Sequence, residues 1–374
     1  VDSDAETSLF DGGFGALRYD SDHDGFQVGR LRAALTQPLG DVFDVKLDAS
    51  YWGQDAAHPF ALTEGYLEYR PYPIDGWKAR VRLGADYPPV SLEDTSAGWS
   101  SPYTISNSAL NAWIGEEIRT VGLDAQLEWL GTHMGHDFDL AVSGGVFGWN
   151  EPAGVVVATG GFSINDFQTP LGGYIGGRKP AAFSENPLFR QYDNRAGFYV
   201  SAEAHYLDRA TLLFTHYDNR ADPSAGIEGT YEYGWHTRFD AAGLRLDSGT
   251  GWTAIVQWLD GQTDTAPDDD FYSWPFRAKF ALLSWQRGRQ TVSARYDVFS
   301  VESNADYNFG AEDGHAWTLA YIFDHSSHWR FALEWVHVTS NAVNRYLELD
   351  EPQYARENQA QISVRYTIGS DRLY

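Results

Sequence analysis

Between Trp77 and Tyr87 the chain alternates between two classes of residue without a slip. Trp77, Ala79, Val81, Leu83, Ala85 and Tyr87 form one set; Lys78, Arg80, Arg82, Gly84 and Asp86 form the other. A period of two is that of a β-strand, whose successive side chains point to opposite faces. The rhythm recurs along the chain, for example over Phe43 to Trp52, Ile118 to Trp129, Thr291 to Phe299 and Asn358 to Ile368. So much sheet carries a large apolar face, and little of the chain is left to cover it. A sheet closed on itself, greasy side to lipid and charged side to enclosed water, satisfies both faces. The expected fold is all-β: a transmembrane antiparallel β-barrel of about 16 strands, with residues 1–374 forming one domain.

Composition agrees with that reading. Of 374 residues, 43% are hydrophobic, an ordinary share for a soluble protein, and no apolar run reaches the length of a membrane helix. Barrels evade such scans because only alternate residues meet lipid. The 14 Trp and 22 Tyr fit interfacial girdles, and Tyr51, Trp52, Trp77, Tyr87, Trp129, Trp149, Trp252, Trp285 and Trp329 all fall at the ends of alternating segments. With no Cys, disulfides, thiolate metal sites and cysteine nucleophiles are excluded. A formal net charge of −25 argues against nucleic acid as a partner. Starting at Val1 rather than Met, the chain reads as mature, its signal peptide removed.

Taken in order, a polar tail (1–8) leads to a Gly-rich first strand expected over Leu9 to Tyr19. Later, Tyr231 to Leu246 is expected to carry a bulge near Ala241 and Ala242. Connections alternate short and long, which places short periplasmic turns on one rim and long extracellular loops on the other. The two longest, 88–116 and 149–195, are the segments expected to fold into or over the pore, since loops of that length are usually functional.

If the apolar alternates face lipid, the lumen wall follows. Arg30, Arg32, Lys78, Arg80 and Arg82 make a basic strip, joined by Lys46, Arg238, Arg277, Lys279 and Arg295. Asp124, Glu128 and Asp139 make an acidic strip beyond it, with Asp240, Asp297 and Glu334 further on. Arg178, Lys179 and Arg190 are the candidates for a constriction. Wall charges that attract a solute without trapping it are what passage needs; wall-to-wall salt bridging is the competing use for any one of them.

Gly84, Pro88, Pro89, Ser91, Leu92, Glu93, Thr95, Ser96, Arg119, Val121 and Gly122 carry a further signal. This strand, turn, Ser/Thr-rich loop and Arg-x-x-Gly pattern resembles the phosphate-selective porin O/P family. The resemblance implies a 16-stranded outer-membrane porin, often trimeric, passing small anions such as phosphate. It also implies a lumenal basic ladder, which Arg30, Arg32, Arg80 and Arg82 could form, and a basic constriction at Arg178, Lys179 and Arg190.

Asp20, Asp22 and Asp24 before Gly25 match the start of a calcium loop, although the twelfth position is Leu31 rather than Glu. Calcium is the ion these three residues suggest; an acidic hairpin tip explains them as well. No nucleophile elbow appears, so no enzyme is expected. The function expected is passive diffusion of small hydrophilic solutes through a Gram-negative outer membrane, with lipid and lipopolysaccharide as neighbours. The alternative is a non-conducting barrel used for surface binding or polymer export.

Overall fold

The computed structural model describes residues 1–22, 25–52, 60–96, 98–171, 188–227, 230, 232–267 and 270–369. Its strands are β1 (Asp2–Ser3), β2 (Arg30–Leu39), β3 (Phe43–Trp52), β4 (Phe60–Tyr69), β5 (Trp77–Asp86), β6 (Thr120–Trp129), β7 (Phe138–Gly148) and β8 (Gly197–Tyr206). They continue with β9 (Ala210–Asp218), β10 (His236–Asp247), β11 (Trp252–Thr265), β12 (Tyr272–Arg287), β13 (Gln290–Val301), β14 (Glu312–Asp324), β15 (Trp329–Ala342) and β16 (Tyr354–Tyr366). All belong to one antiparallel sheet of 16 strands, ordered β1-β16-β15 and so on down to β2.

The sheet curls into a barrel, as one segment demonstrates. Residues 87–119 leave from β5, yet they touch Arg30 on β2, Thr215 on β9, Gln257 on β11, Arg295 on β13 and Glu334 on β15. Only a sheet wrapped round that segment can present all five strands to it. Outside, Leu83, Leu127, Val142, Leu212, Leu283 and Leu333 are each at least half exposed. Their alternates, such as Arg82 or Glu334, point inward.

The first strand differs from expectation. Leu9–Asp11 is one tight helical turn, and β1 is only Asp2–Ser3, paired with Glu357 and Asn358 on β16. Residues 14–17 run inward, where Ala16 donates its amide to Glu357 (2.9 Å) and Phe14 accepts from Arg345 (3.0 Å). The β10 ladders run unbroken through Ala241 and Ala242; the register shift lies instead between Asp48 and Ala49. On β5, Gly84 adopts φ 145°, and a Cβ there would sit 2.2 Å from the Gly65 carbonyl, so that close strand approach needs glycine.

The barrel has two unequal arcs. Strands β2 to β9 are 9–11 residues long, the length needed to cross a hydrocarbon layer at a tilt. Strands β10 to β16 are 12–16 residues long and rise past that height at the long-loop rim. In this overhang the polarity inverts. Phe239, Leu259, Phe276 and Phe299 point inward to a packed core, while Arg238, Asp240, Arg277 and Lys279 point outward. Those four charged residues were expected in the lumen, and the structure places them on the outer surface. Alternation fixes that two faces differ; it does not say which faces out once a strand leaves the lipid.

The aromatic girdles are corrected on the same grounds. Trp52 and Tyr87 turn into the interior, 0% and 8% exposed. At the short-turn rim the expected belt forms, with Trp252 against Trp285 and Trp329 against Tyr366. At the other level, Trp258, Tyr296, Trp317 and Trp335 lie within strands rather than at their ends, because those strands continue upward.

Candidate functional site

Two inner walls face each other across the lumen. On the β2–β8 side the inward row is charged: Arg30, Arg32, Lys46, Glu68, Lys78, Arg80, Arg82, Asp124, Glu128 and Asp139 all project inward. Ladder pairing puts Lys78 beside Glu128, Arg80 beside Gln126 and Arg82 beside Asp124. Most of the cations are held. Arg32 pairs with Asp48, Lys78 with Glu128 (2.8 Å), and Arg82 with Glu68 (2.8 Å) and Asp86. Arg80 and Lys46 make no ion pair among the described residues, and Lys46 lies over the Tyr66 ring. Arg30 packs on Trp52 and reaches the Gly98 carbonyl.

Solvent reaches this wall from the short-turn rim and fades upward: the Lys78 side chain is 40% exposed, that of Arg82 17% and that of Asp86 11%. At the top lies a cavity of about 10 Å³ walled by Tyr66, Arg82, Asp86, Asp124 and Tyr199. That is room for about one water. Tyr66 and Tyr199 were not among the sequence candidates; both sit on inward rows, and only the curvature of the barrel makes them converge.

The opposite wall, β9 to β16, is packed against a plug. Its first part is 87–119, with helix α1 (Ala109–Glu117) buried throughout. Its second is 149–171, with the short helix α2 (Val155–Gly160). A loop inside a barrel has no ladder partner for its amides, and buried amides need acceptors. Carboxylates supply them. Glu334 accepts from Ile105 (2.6 Å) and Ser106 (3.1 Å), Asp297 from Ala109 (3.1 Å), and Glu312 from Phe162 (2.8 Å). Within the plug, Glu117 accepts from Gly154, Val156 and Val157, tying α2 to α1.

Arg295 centres this side. Fully buried, it donates to Glu93 (2.6 Å), Asp297 (2.8 Å) and the carbonyls of Ser106 and Asn107. On the same plug segment, Trp113 packs on Phe239 and Phe276. Asp297 and Glu334 thus face inward but serve as fasteners for the plug. Next to Glu93, the carboxyl of Asp94 is buried without a hydrogen-bond partner among the described residues; burial pushes its pKa well up and the Glu93 charge adds to this. Glu151 holds Gln191, Tyr192 and Asp193 at the rim, and burial, with Asp193 beside it, raises it to about 7.

The remaining sequence candidates are placed as follows. Asp139 caps the turn before β7, accepting from the Thr132 amide (2.8 Å) and hydroxyl. Arg190 is exposed at the long-loop rim next to buried Phe189, while Arg178 and Lys179 lie outside the described residues. Asp20 is buried and accepts from the amides of Ser8 (2.9 Å) and Asp22 (3.1 Å), Asp22 is exposed, and Asp24 lies outside the described residues. Among the described residues no cluster of three or more acids or histidines is arranged to hold a metal.

No family model matches the chain, and no curated relative matches it. Solved structures do. A loop-deletion mutant of OmpT, an outer membrane protein of Vibrio cholerae, aligns over 91% of each chain at 11% identity with a TM-score of 0.52. The outer membrane channel DcaP of Acinetobacter baumannii aligns over 91% of this chain and 85% of its own, at 10% identity and a TM-score of 0.50. An anion-selective porin from Comamonas acidovorans aligns over 90% and 88%, at 14% identity and a TM-score of 0.47. What the chain shares with the first two is the fold, that of an outer-membrane β-barrel.

Proposed function

We propose that the protein is an outer-membrane channel through which small hydrophilic solutes diffuse along the β2–β8 wall. The observation that supports this best is the gradient of solvent access on that wall, from Lys78 at 40% to Asp86 at 11%, beneath an apolar exterior. A charged wall wetted from one rim is a vestibule, and Tyr66, Arg82, Asp86 and Tyr199 form its narrow end. Arg80 and Lys46, cations without an ion pair among the described residues, bias the passage toward anions; phosphate is the anion the family resemblance points to. A homotrimer in the outer membrane is the assembly that goes with this reading.

Planar-bilayer conductance in asymmetric potassium chloride tests it. The expected result is discrete channels with a reversal potential on the anion side, lowered by added phosphate. A flat baseline from correctly inserted protein would favour the second reading, a non-conducting barrel for surface binding. The extent of the plug supports that alternative, since α1 and most of α2 are buried across the lumen.

A further inference from the structure

We propose that the outer surface across β7 to β13 is a binding site for an anionic, phosphate-bearing lipid of the surrounding bilayer; this rests on the membrane reading above. A groove of about 1040 Å³ runs there. Its floor is made of small outward residues, Ala202, Ala242 and Ala281, which stand beside the larger Phe214, Trp258 and Tyr296 in the ladders. A sheet face that alternates small and bulky residues leaves a channel of acyl-chain width, and its lining is almost wholly apolar.

At the upper end stands Lys279, between Trp258 and Val298 in the ladders and on the level of the inner-strand aromatic belt. It is exposed and makes no hydrogen bond or ion pair among the described residues. The nearest outward acid in the row above, Asp260, is already held by Arg277 at 2.6 Å. An unpaired ammonium at the level of aromatic anchors sits where lipid phosphates lie, its stem along apolar surface and its head toward the headgroups. An apolar slot capped by a cation that has no ion pair among the described residues has the charge pattern of a single anionic lipid: acyl chain below, phosphate above.

The test is native mass spectrometry of the detergent-purified full chain, titrated with dioleoylphosphatidylglycerol or dioleoylphosphatidylcholine. Wild type is expected to retain the anionic lipid about fivefold more strongly, the scale set by one Lys against an anionic lipid surface. Raising salt should shrink that preference. Lys279→Ala should abolish the preference while leaving weak binding of both lipids, and Ala281→Trp, which fills the floor, should weaken both. An unchanged preference in Lys279→Ala overturns the proposal. So does a groove found covered by a second copy of the chain with no lipid retained. Insertion into phosphatidylcholine vesicles, read by protease protection, separates the two levels: failure to insert sinks the membrane reading itself, whereas insertion without lipid preference sinks only this site.

Discussion

The two inner walls are built from the same alternating strands, yet they put charge to opposite uses. On the β2–β8 wall wetting is graded: Lys78 and Glu128 are 40% and 17% exposed, Arg82 is 17% exposed over a buried Glu68, and Arg80 makes no ion pair among the described residues. On the β9–β16 side the pairs that meet the plug are fully enclosed: Arg295, Asp297 and the plug's own Glu93 are at most 1% exposed, whereas Arg245 with Asp247 and Arg330 with Asp324, near the short turns, stay part-exposed. Wetted pairs contribute little to stability and leave a field in the pore. Enclosed ones contribute little net stability as pairs but become costly once a partner is removed. On the proposed channel reading, one barrel thus separates a transport surface from a fastening surface.

The contrast is broken most directly at Arg295. Arg295→Ala leaves Glu93 and Asp297 buried with no counter-charge, a loss of ~3–5 kcal/mol. Urea unfolding in vesicles should show that loss, together with larger conductance as the plug loosens. A change below ~1 kcal/mol would mean that the network is not what holds 87–119 in place. Trp113→Ala attacks the same wall without touching charge. It removes a fully buried side chain from between Phe239 and Phe276, with an expected cost of ~3–5 kcal/mol by the same assay. If only the Arg295 variant is destabilised, electrostatics and not packing carry the plug.

How much of this was legible in the sequence follows from where alternation suffices. On β5 from Trp77 to Leu83 and on β6 from Val121 to Trp129 it assigned each face, since these stretches span no more than the lipid and their outward phase is apolar; beyond them Ala85 and Tyr87 are buried. On β12 the same rule put Arg277 and Lys279 in the lumen, because the sequence does not show that a 16-residue strand outruns the apolar layer. Inside the barrel, nothing in the spacing of Glu93, Arg295 and Glu334 shows that they meet. They lie on a loop and two separate strands, and barrel closure alone brings them together. The Leu9–Tyr19 segment failed for another reason: its glycines let it turn inward, and Glu357 and Arg345 supply the backbone partners a neighbouring strand would have given.

On the wet wall, Arg80→Glu combined with Lys46→Glu should move the reversal potential severalfold toward cations in permeability ratio, with little change in stability. An unaltered ratio would place the selectivity elsewhere than on β3 and β5. Between the walls, the rim anchor Glu151 gives a pH test. Folded, its carboxyl keeps its proton up to about pH 7, whereas unfolded it releases it near the ordinary 4.5. The folded state therefore binds more protons in that window, so the anchor's stability is full below about pH 4.5 and falls as pH rises toward 7. Hydrogen-exchange protection at Tyr192 and Asp193, taken relative to the intrinsic exchange rate at each pH, should fall over that range, and Glu151→Gln should remove that fall.

The smallest effect is expected at Lys78 and Glu128. Their side chains are 40% and 17% exposed, so the pair sits in high dielectric and is screened by salt. Lys78→Ala should cost at most ~1 kcal/mol in the unfolding assay that shows the large loss for Arg295→Ala. Conductance responds differently, because the freed Glu128 then adds a negative charge at the vestibule mouth and repels entering anions. A fall in anion conductance at low salt that disappears at high salt, with stability almost unchanged, is the signature of a transport wall. Should Lys78→Ala instead destabilise the barrel as strongly as Arg295→Ala, the β2–β8 side would be a second fastening surface and the division between the walls would be lost.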